Sequence, residues 1–212
     1  MKYKLVIFDL DGTLLNTIND LTNSINYSLN KYKYPLKTIK EIKSYLGNGI
    51  KKLVERSLPN LDNFDNVYNT FLNHYQNNYN IETKPYENIK EVLNYLKNNN
   101  YKLAVISNKK NEITNKLINN HFPHIFDIIL GEVENLKKKP NPDMVNYVLN
   151  ELKINKEDTI YIGDSEVDMK VSLNSNIDYI LVSYGYRDKE FLLNLNPLNI
   201  VDNPKDIIKV IE

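Results

Sequence analysis

Residues 4–17 read KLVIFDLDGTLLNT, and they give the first indication of the fold. A short apolar run over residues 4–8 ends in two aspartates, Asp9 and Asp11, which are separated by one leucine. Such a run is typical of a buried strand, and carboxylates at its end are costly to desolvate and repel each other. The pattern predicts a strand over residues 3–8 that holds two acids at its end for a chemical purpose.

After residue 85 the chain alternates between apolar runs and amphipathic segments. The segments between the runs predict helices, and each run is followed by polar residues that predict a loop. This alternation is typical of a parallel sheet that helices cover on both faces. The predicted strands are YKLAVIS (101–107), FDIILG (126–131), DTIYIGD (158–164) and DYILVSYG (178–185).

The segment between the first strand and residue 83 has a different pattern. Leu21, Ile25 and Leu29 recur at four-residue spacing, and no part of the segment alternates as a strand does. Because the first strand must join the later sheet, the helical segment is predicted to be an insertion. We therefore predict an α/β fold with a Rossmann-like core, residues 1–15 and 83–212, and an inserted helical cap domain, residues 16–82.

Composition and charge narrow the classes of function. Lys+Arg and Asp+Glu both number 27, so the formal net charge is zero, which argues against binding to nucleic acid or to an anionic membrane surface. The chain has no cysteine and thus no disulfide or thiolate metal site. No apolar run approaches the roughly 20 residues of a membrane span, so we expect a cytoplasmic protein. The sequence leaves the oligomeric state open.

Residues suited to phosphate or metal follow three of the predicted strands. They form the loops DLDGT (9–13), SNKK (107–110) and GDSEVD (163–168). Open parallel sheets bind ligands beyond the carboxyl ends of their strands, so we expect these loops to form one site.

Four motifs in chain order resemble those of the haloacid dehalogenase superfamily of phosphohydrolases: DLDGT, VISN (105–108), the lysine of KPNPD (139–143) and YIGDSEVD (161–168). The resemblance runs over essentially the whole chain, and the helical insertion after the first motif is similar to that of C1-capped members. Three stretches look most like phosphoglycolate phosphatase-type sequences: FDLDGTLLNTINDL (8–21), GNGIKKLVERSLP (47–59) and SYGYRD (183–188). Family members often carry Asp-Ser where this chain has Asn16 and Thr17.

The resemblance implies different catalytic roles for the two acids of the first motif, Asp9 and Asp11. Asp9 would be the nucleophile that attacks phosphorus and carries a transient aspartyl-phosphate. Asp11 would protonate the leaving alkoxide and then activate the hydrolytic water. The dehalogenases of the superfamily lack an acid at that position, because a departing halide needs no proton. Asp11 therefore favours phosphate-ester chemistry.

The remaining motif residues are expected to hold the phosphoryl group. Gly12 lets the backbone approach it, and Ser107 and Asn108 are placed to contact its oxygens. The spacing to the following Pro-Asn-Pro-Asp selects Lys139, rather than either lysine before it, as the cation that offsets the charges of phosphate and Asp9.

The same resemblance implies an oxygen-rich Mg²⁺ site. Its ligands would be the carboxylates of Asp9 and Asp164 and the backbone carbonyl of Asp11. Asp168, four residues after Asp164, would touch the metal, act through water or orient Lys139.

Candidate substrate contacts also occur in the predicted cap. Gly47, Asn48 and Gly49 lie between two predicted helices, and their amides could contact an anion. Arg56 is a candidate partner for a substrate carboxylate, which would suit phosphoglycolate.

These expectations describe a Mg²⁺-dependent phosphatase for a small phosphorylated metabolite, with phosphoglycolate as the leading candidate. Two enzymatic alternatives remain open within the superfamily: a β-phosphoglucomutase-like phosphotransferase and a pyrophosphatase. A more distant alternative is a non-catalytic binding protein on the same fold.

Overall fold

A computed structural model describes residues 2–212 of the chain. The chain divides into two compact units, of which unit 1 contains residues 1–15 and 85–212 and unit 2 contains residues 16–84. Unit 2 ends two residues beyond the boundary that we predicted from the sequence. Within the described residues, no helix has both the length and the apolar character that crossing a membrane requires.

The elements follow one another as expected for an α/β protein with a helical insertion. In chain order the strands are β1 (Leu5–Phe8), β2 (Leu15–Asn16), β3 (Lys84–Pro85), β4 (Lys102–Lys110), β5 (Ile128–Glu132), β6 (Thr159–Gly163), β7 (Asp178–Val182) and β8 (Ile200–Val201). The helices are α1 (Ile18–Lys31), α2 (Ile39–Tyr45), α3 (Ile50–Ser57), α4 (Phe64–Asn78), α5 (Ile89–Asn98), α6 (Asn111–His121), α7 (Asp143–Leu152), α8 (Glu166–Ser175), α9 (Lys189–Leu193) and α10 (Asp206–Ile211). Strands β2 and β3 pair separately as a two-stranded sheet.

Unit 1 is built on a six-stranded sheet with the order β5-β4-β1-β6-β7-β8. All of its strand pairs are parallel, and Phe8 at the end of β1 lies opposite Val105 of β4 and Ile162 of β6. The chain moves from β1 to one side of the sheet and later returns to the other side through β6. The carboxyl ends of β1 and β6 therefore form the switch point at which such sheets bind ligands.

The two faces of the sheet are packed by alternate residues of each strand. Leu5 and Ile7 of β1 and Tyr161 of β6 contribute to one buried cluster, which also contains Val145 and Val148 of α7. The intervening residues of β1 are also fully buried, so this strand is covered on both faces. This burial confirms the predicted Rossmann-like α/β core and explains the continuous apolar run before Asp9.

One local prediction for unit 1 is wrong, and one short helix was not predicted. The residues SNKK do not form a loop after the second predicted strand, because β4 continues to Lys110 with an irregular register against β5 between Ile106 and Lys110. For the residues of the short helix α9, which follows the last predicted strand, we made no prediction from the sequence. Its five residues are too few for a clear helical period.

Unit 2 consists mainly of the helices α1 to α4. A capping box starts α2, in which Thr38 accepts a hydrogen bond from the backbone of Glu41 and the Glu41 carboxylate accepts one from the Thr38 backbone. The buried Asp20 carboxylate of α1 accepts hydrogen bonds from the backbone N–H groups of Ile81, Glu82 and Thr83 at 2.9–3.1 Å. It also accepts one from the Thr83 hydroxyl at 2.7 Å. Asp20 thus fixes the segment that leads out of this unit.

Replacing Asp20 with asparagine is expected to lower the free energy of unfolding by about 3 kcal/mol. The amide nitrogen of asparagine cannot accept these hydrogen bonds, so buried backbone donors lose a charged acceptor. Urea unfolding followed by circular dichroism measures the change. The matched control is Asp62→Asn, at an exposed aspartate of the same unit, with an expected change within about 0.5 kcal/mol. Equal unfolding midpoints for the two variants would contradict the role of Asp20.

Candidate active site

The two strands at the switch point bring together acids from distant parts of the sequence. Asp9 follows β1 and Asp164 follows β6, and the Asp9 backbone N–H donates to the Ile162 carbonyl at 2.9 Å, which extends the strand pairing. Asp9, Asp164 and Asp168 are all buried, and each offers a carboxylate oxygen within 4.8 Å of the others. These three residues form what we call the acidic cluster.

A single buried lysine, Lys139, contacts two members of the acidic cluster. Its ammonium group donates to Asp9 Oδ1 at 2.7 Å, to Asp168 Oδ1 at 2.7 Å and to the Tyr161 hydroxyl at 2.9 Å. An ammonium group has three donors, so these contacts use all of them. The neighbouring Lys138 is half-buried and pairs with Glu132 at 2.9 Å. The structure therefore brings Lys139, and not Lys138, to the acids.

Asp168 uses its two carboxylate oxygens for different contacts. Oδ1 contacts Lys139, whereas Oδ2 accepts hydrogen bonds from the backbone N–H and the hydroxyl of Ser165, at 3.1 and 2.5 Å. Ser165 directly precedes α8, so Asp168 stabilises the start of this helix and orients the lysine at the same time. Of the three alternatives for Asp168, orientation of Lys139 is the one for which the structure gives a direct contact.

The acidic cluster carries more negative charge than Lys139 balances. Burial, together with the charges of Asp168 and Asp9, holds the pKa of Asp164 well above its usual range. Burial also raises the pKa of Asp9 to about 7, although the Lys139 charge opposes this. The pKa of Lys139 is raised well above its usual value, because its attraction to Asp168 and Asp9 outweighs the effect of burial. An additional cation would offset the negative charge of the acidic cluster that Lys139 does not balance.

The acidic cluster offers the donor set that Mg²⁺ prefers, namely carboxylate oxygens. Asp9 and Asp164 could hold such an ion directly, whereas both carboxylate oxygens of Asp168 already contact Lys139 or Ser165. The combined charge of the three carboxylates, two of which contact the Lys139 ammonium group, suits a divalent cation.

Gly12 and Gly185 leave room for the Asp164 carboxylate. Gly12 has a φ of +91°, and a Cβ atom on it would lie 2.1 Å from Asp164 Oδ2. A Cβ atom on Gly185 would lie 2.4 Å from both Asp164 Cβ and the Gly12 carbonyl oxygen. The next N–H along, that of Tyr186, donates to Asp164 Oδ2 at 2.7 Å. The first motif and the loop after β7 therefore enclose Asp164 from two sides.

The irregular end of β4 buries three consecutive polar residues, Ser107, Asn108 and Lys109. In a regular strand successive side chains point to opposite faces, and irregular pairing changes their direction. The Asn108 side chain accepts from the Lys139 backbone N–H at 2.9 Å and donates to the Lys139 carbonyl at 3.0 Å. Asn108 therefore positions Lys139, and its expected contact with phosphate stays a prediction, as does that of Ser107.

Lys109 is a site residue that the sequence analysis missed. Its ammonium group lies 3.0 Å from Asp11 Oδ2, and its side chain is only 2% exposed, compared with 20% for Asp11. The available signal was the second-motif position of SNKK, but a lysine next to a second lysine resembles a surface residue. In the structure Lys109 is buried and the adjacent Lys110, at the end of β4, is exposed.

Tyrosines form another part of the site that sequence patterns did not identify. Tyr161 lies in β6, and its hydroxyl donates to the Ile106 carbonyl at 3.2 Å while it accepts from Lys139. Tyr184 donates to the Thr13 carbonyl at 3.2 Å, and its ring packs 5.0 Å from that of Tyr86. In the sequence these residues are indistinguishable from other aromatic core positions.

The four candidate residues of the predicted cap lie in unit 2. Gly47 and Gly49 have φ values of +105° and +84°, which suits a tight connection from α2 to α3. The Arg56 guanidinium donates to the Tyr45 carbonyl at 2.7 Å, so it links the last turn of α3 to the end of α2. Contact of Gly47, Asn48, Gly49 or Arg56 with a substrate stays a prediction.

The parallel sheet, with buried aspartates around a lysine at its switch point, defines a Rossmann-like fold with a charged site where such sheets bind ligands. The chain belongs to the haloacid dehalogenase-like hydrolase family, whose sequence model matches residues 6–182. This match confirms the resemblance that the four motifs carried.

Individual relatives are similar over the full length of the chain. The phosphoglycolate phosphatase of Psychrobacter arcticus is 32% identical and the alignment covers 96% of this chain and 93% of the relative. The phosphoglycolate phosphatase of Nitrosospira multiformis is 31% identical, with 99% and 96% covered. Among solved structures, a protein of Lactobacillus delbrueckii subsp. bulgaricus, provisionally described as a phosphoglycolate phosphatase, superposes with a TM-score of 0.94 at 32% identity. That match covers 100% of this chain and 99% of the other.

Proposed function

We propose that this protein is a Mg²⁺-dependent phosphatase that hydrolyses a small phosphorylated metabolite through an aspartyl-phosphate intermediate. The observation that carries the proposal is the acidic cluster at the switch point of the sheet, in which two of the three buried carboxylates, those of Asp9 and Asp168, contact one buried ammonium group. Such a site attracts a divalent cation, and the cation then attracts a phosphate dianion. Enzymes of phosphoryl transfer use the same arrangement of acids, metal ion and phosphate.

Asp9 is the nucleophile of the proposed reaction. A bond forms between a carboxylate oxygen of Asp9 and phosphorus while the bond from phosphorus to the ester oxygen breaks. Asp11 gives its proton to the leaving ester oxygen, so that an alcohol departs rather than an alkoxide. In the second step Asp11 takes a proton from water, the water oxygen bonds to phosphorus, and inorganic phosphate leaves with the Asp9 carboxylate restored.

Lys139 keeps Asp9 ionised and oriented during this sequence. Its contact with Asp9 Oδ1 leaves the second carboxylate oxygen as the attacking atom. The contacts with Asp168 and Tyr161 fix the ammonium group, so little reorganisation is needed as charge shifts towards the leaving group. Bound Mg²⁺, held by Asp9, Asp164 and the Asp11 carbonyl, would neutralise charge on the phosphoryl oxygens.

Phosphoglycolate is the leading candidate substrate, because full-length relatives at 32% and 31% identity are phosphoglycolate phosphatases. Steady-state kinetics on phosphoglycolate, β-glucose 1-phosphate, pyrophosphate and p-nitrophenyl phosphate tests the proposal. We expect the highest kcat/KM for phosphoglycolate. A higher value for pyrophosphate, or isomerisation of the sugar phosphate, would replace it with one of the other activities. A cytoplasmic location stays a prediction.

Removal of divalent metal with EDTA is expected to reduce turnover by about 100-fold or more, and Mg²⁺ should restore it. Mg²⁺ should also raise the melting temperature of the metal-free protein, because it binds the folded acidic cluster. Asp164→Asn should abolish most of that thermal shift. As a control, Asp178→Asn removes an aspartate at the opposite, amino-terminal end of β7 and should leave the shift intact. Turnover that survives EDTA would contradict the metal requirement.

A further inference from the structure

Lys109 is a buried lysine beside the proposed general acid Asp11, and the proposed function gives it no role. Lys109 and Lys139 are the buried lysines of residues 2–212. Lys139 is committed to the nucleophile, whereas the ammonium group of Lys109 lies 3.0 Å from Asp11 Oδ2. Burying an ammonium group is costly unless it is paired with an opposite charge, and the partner of Lys109 is the residue that we propose as the proton donor to the leaving group.

We propose that Lys109 determines specificity by binding a carboxylate on the leaving alcohol. This inference rests on the proposed phosphatase function and narrows its substrate class. The preferred substrates are phosphate monoesters in which the carbon next to the ester oxygen carries a carboxylate, and phosphoglycolate is the simplest of them.

The location of Asp11 determines which part of a substrate lies near Lys109. To protonate the leaving group, Asp11 must come within hydrogen-bond reach of the ester oxygen. The Lys109 ammonium group, in contact with the same carboxylate, then lies on the leaving-group side of the phosphorus. In a phosphoglycolate-type ester the carboxylate carbon is only two bonds from the ester oxygen, which brings this anion next to Lys109.

The charge balance of the site supports the same assignment. A bound phosphoryl group adds a charge of about −1.5 to −2, and a substrate carboxylate adds another negative charge. Lys139 already directs its three donors to Asp9, Asp168 and Tyr161. An ammonium group can contact two carboxylates together, so Lys109 can stay with Asp11 and bind the substrate.

A role confined to pairing with Asp11 makes a different prediction. Loss of that role would slow the cleavage of all alkyl phosphates to the same extent, whatever else the alcohol carries. Recognition of a carboxylate instead changes the ratio between two esters that differ only in that group. Phosphoglycolate and 2-hydroxyethyl phosphate form such a pair, because a hydroxymethyl group replaces the carboxylate.

The experiment measures kcat/KM for these two esters and for p-nitrophenyl phosphate, at saturating Mg²⁺. The proteins are the wild type, Lys109→Met, Lys109→Gln and the control Lys110→Met. Lys109→Gln keeps a hydrogen-bond donor for Asp11, and it provides the test if the methionine variant does not fold. Lys110 is the exposed neighbour of the same residue type and has no place in the proposed machinery.

We expect the wild type to prefer phosphoglycolate over 2-hydroxyethyl phosphate by about 10- to 100-fold, the range of a charged hydrogen bond. Both Lys109 variants should lose most of this preference, and Lys110→Met should retain it. An unchanged ratio in a folded Lys109 variant would overturn the inference, as would a wild type without the preference. In both cases hydrolysis of p-nitrophenyl phosphate would leave the phosphatase proposal standing. Failure to cleave any of the three esters would defeat that proposal as well.

Discussion

Asp9→Asn is expected to reduce the turnover of phosphate monoesters by about 10⁴-fold or more, while the protein stays folded. An amide is a very poor nucleophile towards phosphorus, and no other carboxylate in the acidic cluster follows β1. Burial raises the pKa of Asp9 to about 7, so the ionised form is costly in the metal-free protein. Asparagine removes that charge, and the melting temperature without metal should therefore not fall.

Initial rates with p-nitrophenyl phosphate and phosphoglycolate measure the loss, and a thermal melt measures the stability. Asp178→Asn is the matched control, because Asp178 pairs with Lys2 in an exposed contact at the start of β7. This control should retain wild-type rates. Wild-type turnover by Asp9→Asn would contradict the nucleophile assignment, and equal losses in the two variants would indicate a general effect on folding.

Lys139→Met is expected to lower kcat by about 10²- to 10³-fold. Methionine has a similar length but no charge, so Asp9 and Asp168 lose the cation that both contact. Breaking a buried ion pair from one side leaves an uncompensated charge, and the free energy of unfolding should fall by about 3–5 kcal/mol without metal. Mg²⁺ should restore part of this stability, because it compensates the same acids.

The control for this variant is Lys138→Met. Lys138 is the adjacent lysine, but it is half-buried and its ammonium group pairs with Glu132 rather than with the acidic cluster. We expect normal kcat and a change in unfolding free energy within about 0.5 kcal/mol. Kinetics and urea unfolding, each with and without Mg²⁺, decide the comparison. Similar effects of the two substitutions would refute the selection of Lys139 by its spacing to Pro-Asn-Pro-Asp.

The fold class could be predicted because it depends on local patterns. The apolar runs before Asp9 and Asp164 are long enough to identify buried parallel strands, and the spacing of Leu21, Ile25 and Leu29 identifies a helix. The places where prediction failed are those where local pattern is weak. The short helix α9 has too few residues to show a period, and the irregular end of β4 looks like a loop because its residues are polar.

The candidate site could be predicted only as far as its residues follow strand ends. Asp9, Asp164 and Ser107 are identified in this way, since the carboxyl ends of parallel strands meet at one edge of the sheet. Lys109 was missed because a lysine next to a second lysine resembles a surface residue, and its buried contact with Asp11 joins residues that are far apart in the sequence. Tyr161 was missed because its hydroxyl contact with Lys139 lies inside an apolar strand.

The α/β fold, the family and the positions of the motif acids can be predicted from the sequence, because strand periodicity and motif spacing are properties of neighbouring residues. The contacts of Lys139 with both Asp9 and Asp168, and that of Lys109 with Asp11, depend on the tertiary structure. Lys139 and Asp9 are 130 residues apart in the chain, and their ammonium and carboxylate groups meet at 2.7 Å. Such a contact requires the segment between β5 and α7, whose Lys139 backbone is hydrogen-bonded to Asn108 of β4, to lie beside the carboxyl end of β1. Burial of the two groups then strengthens the interaction between their charges.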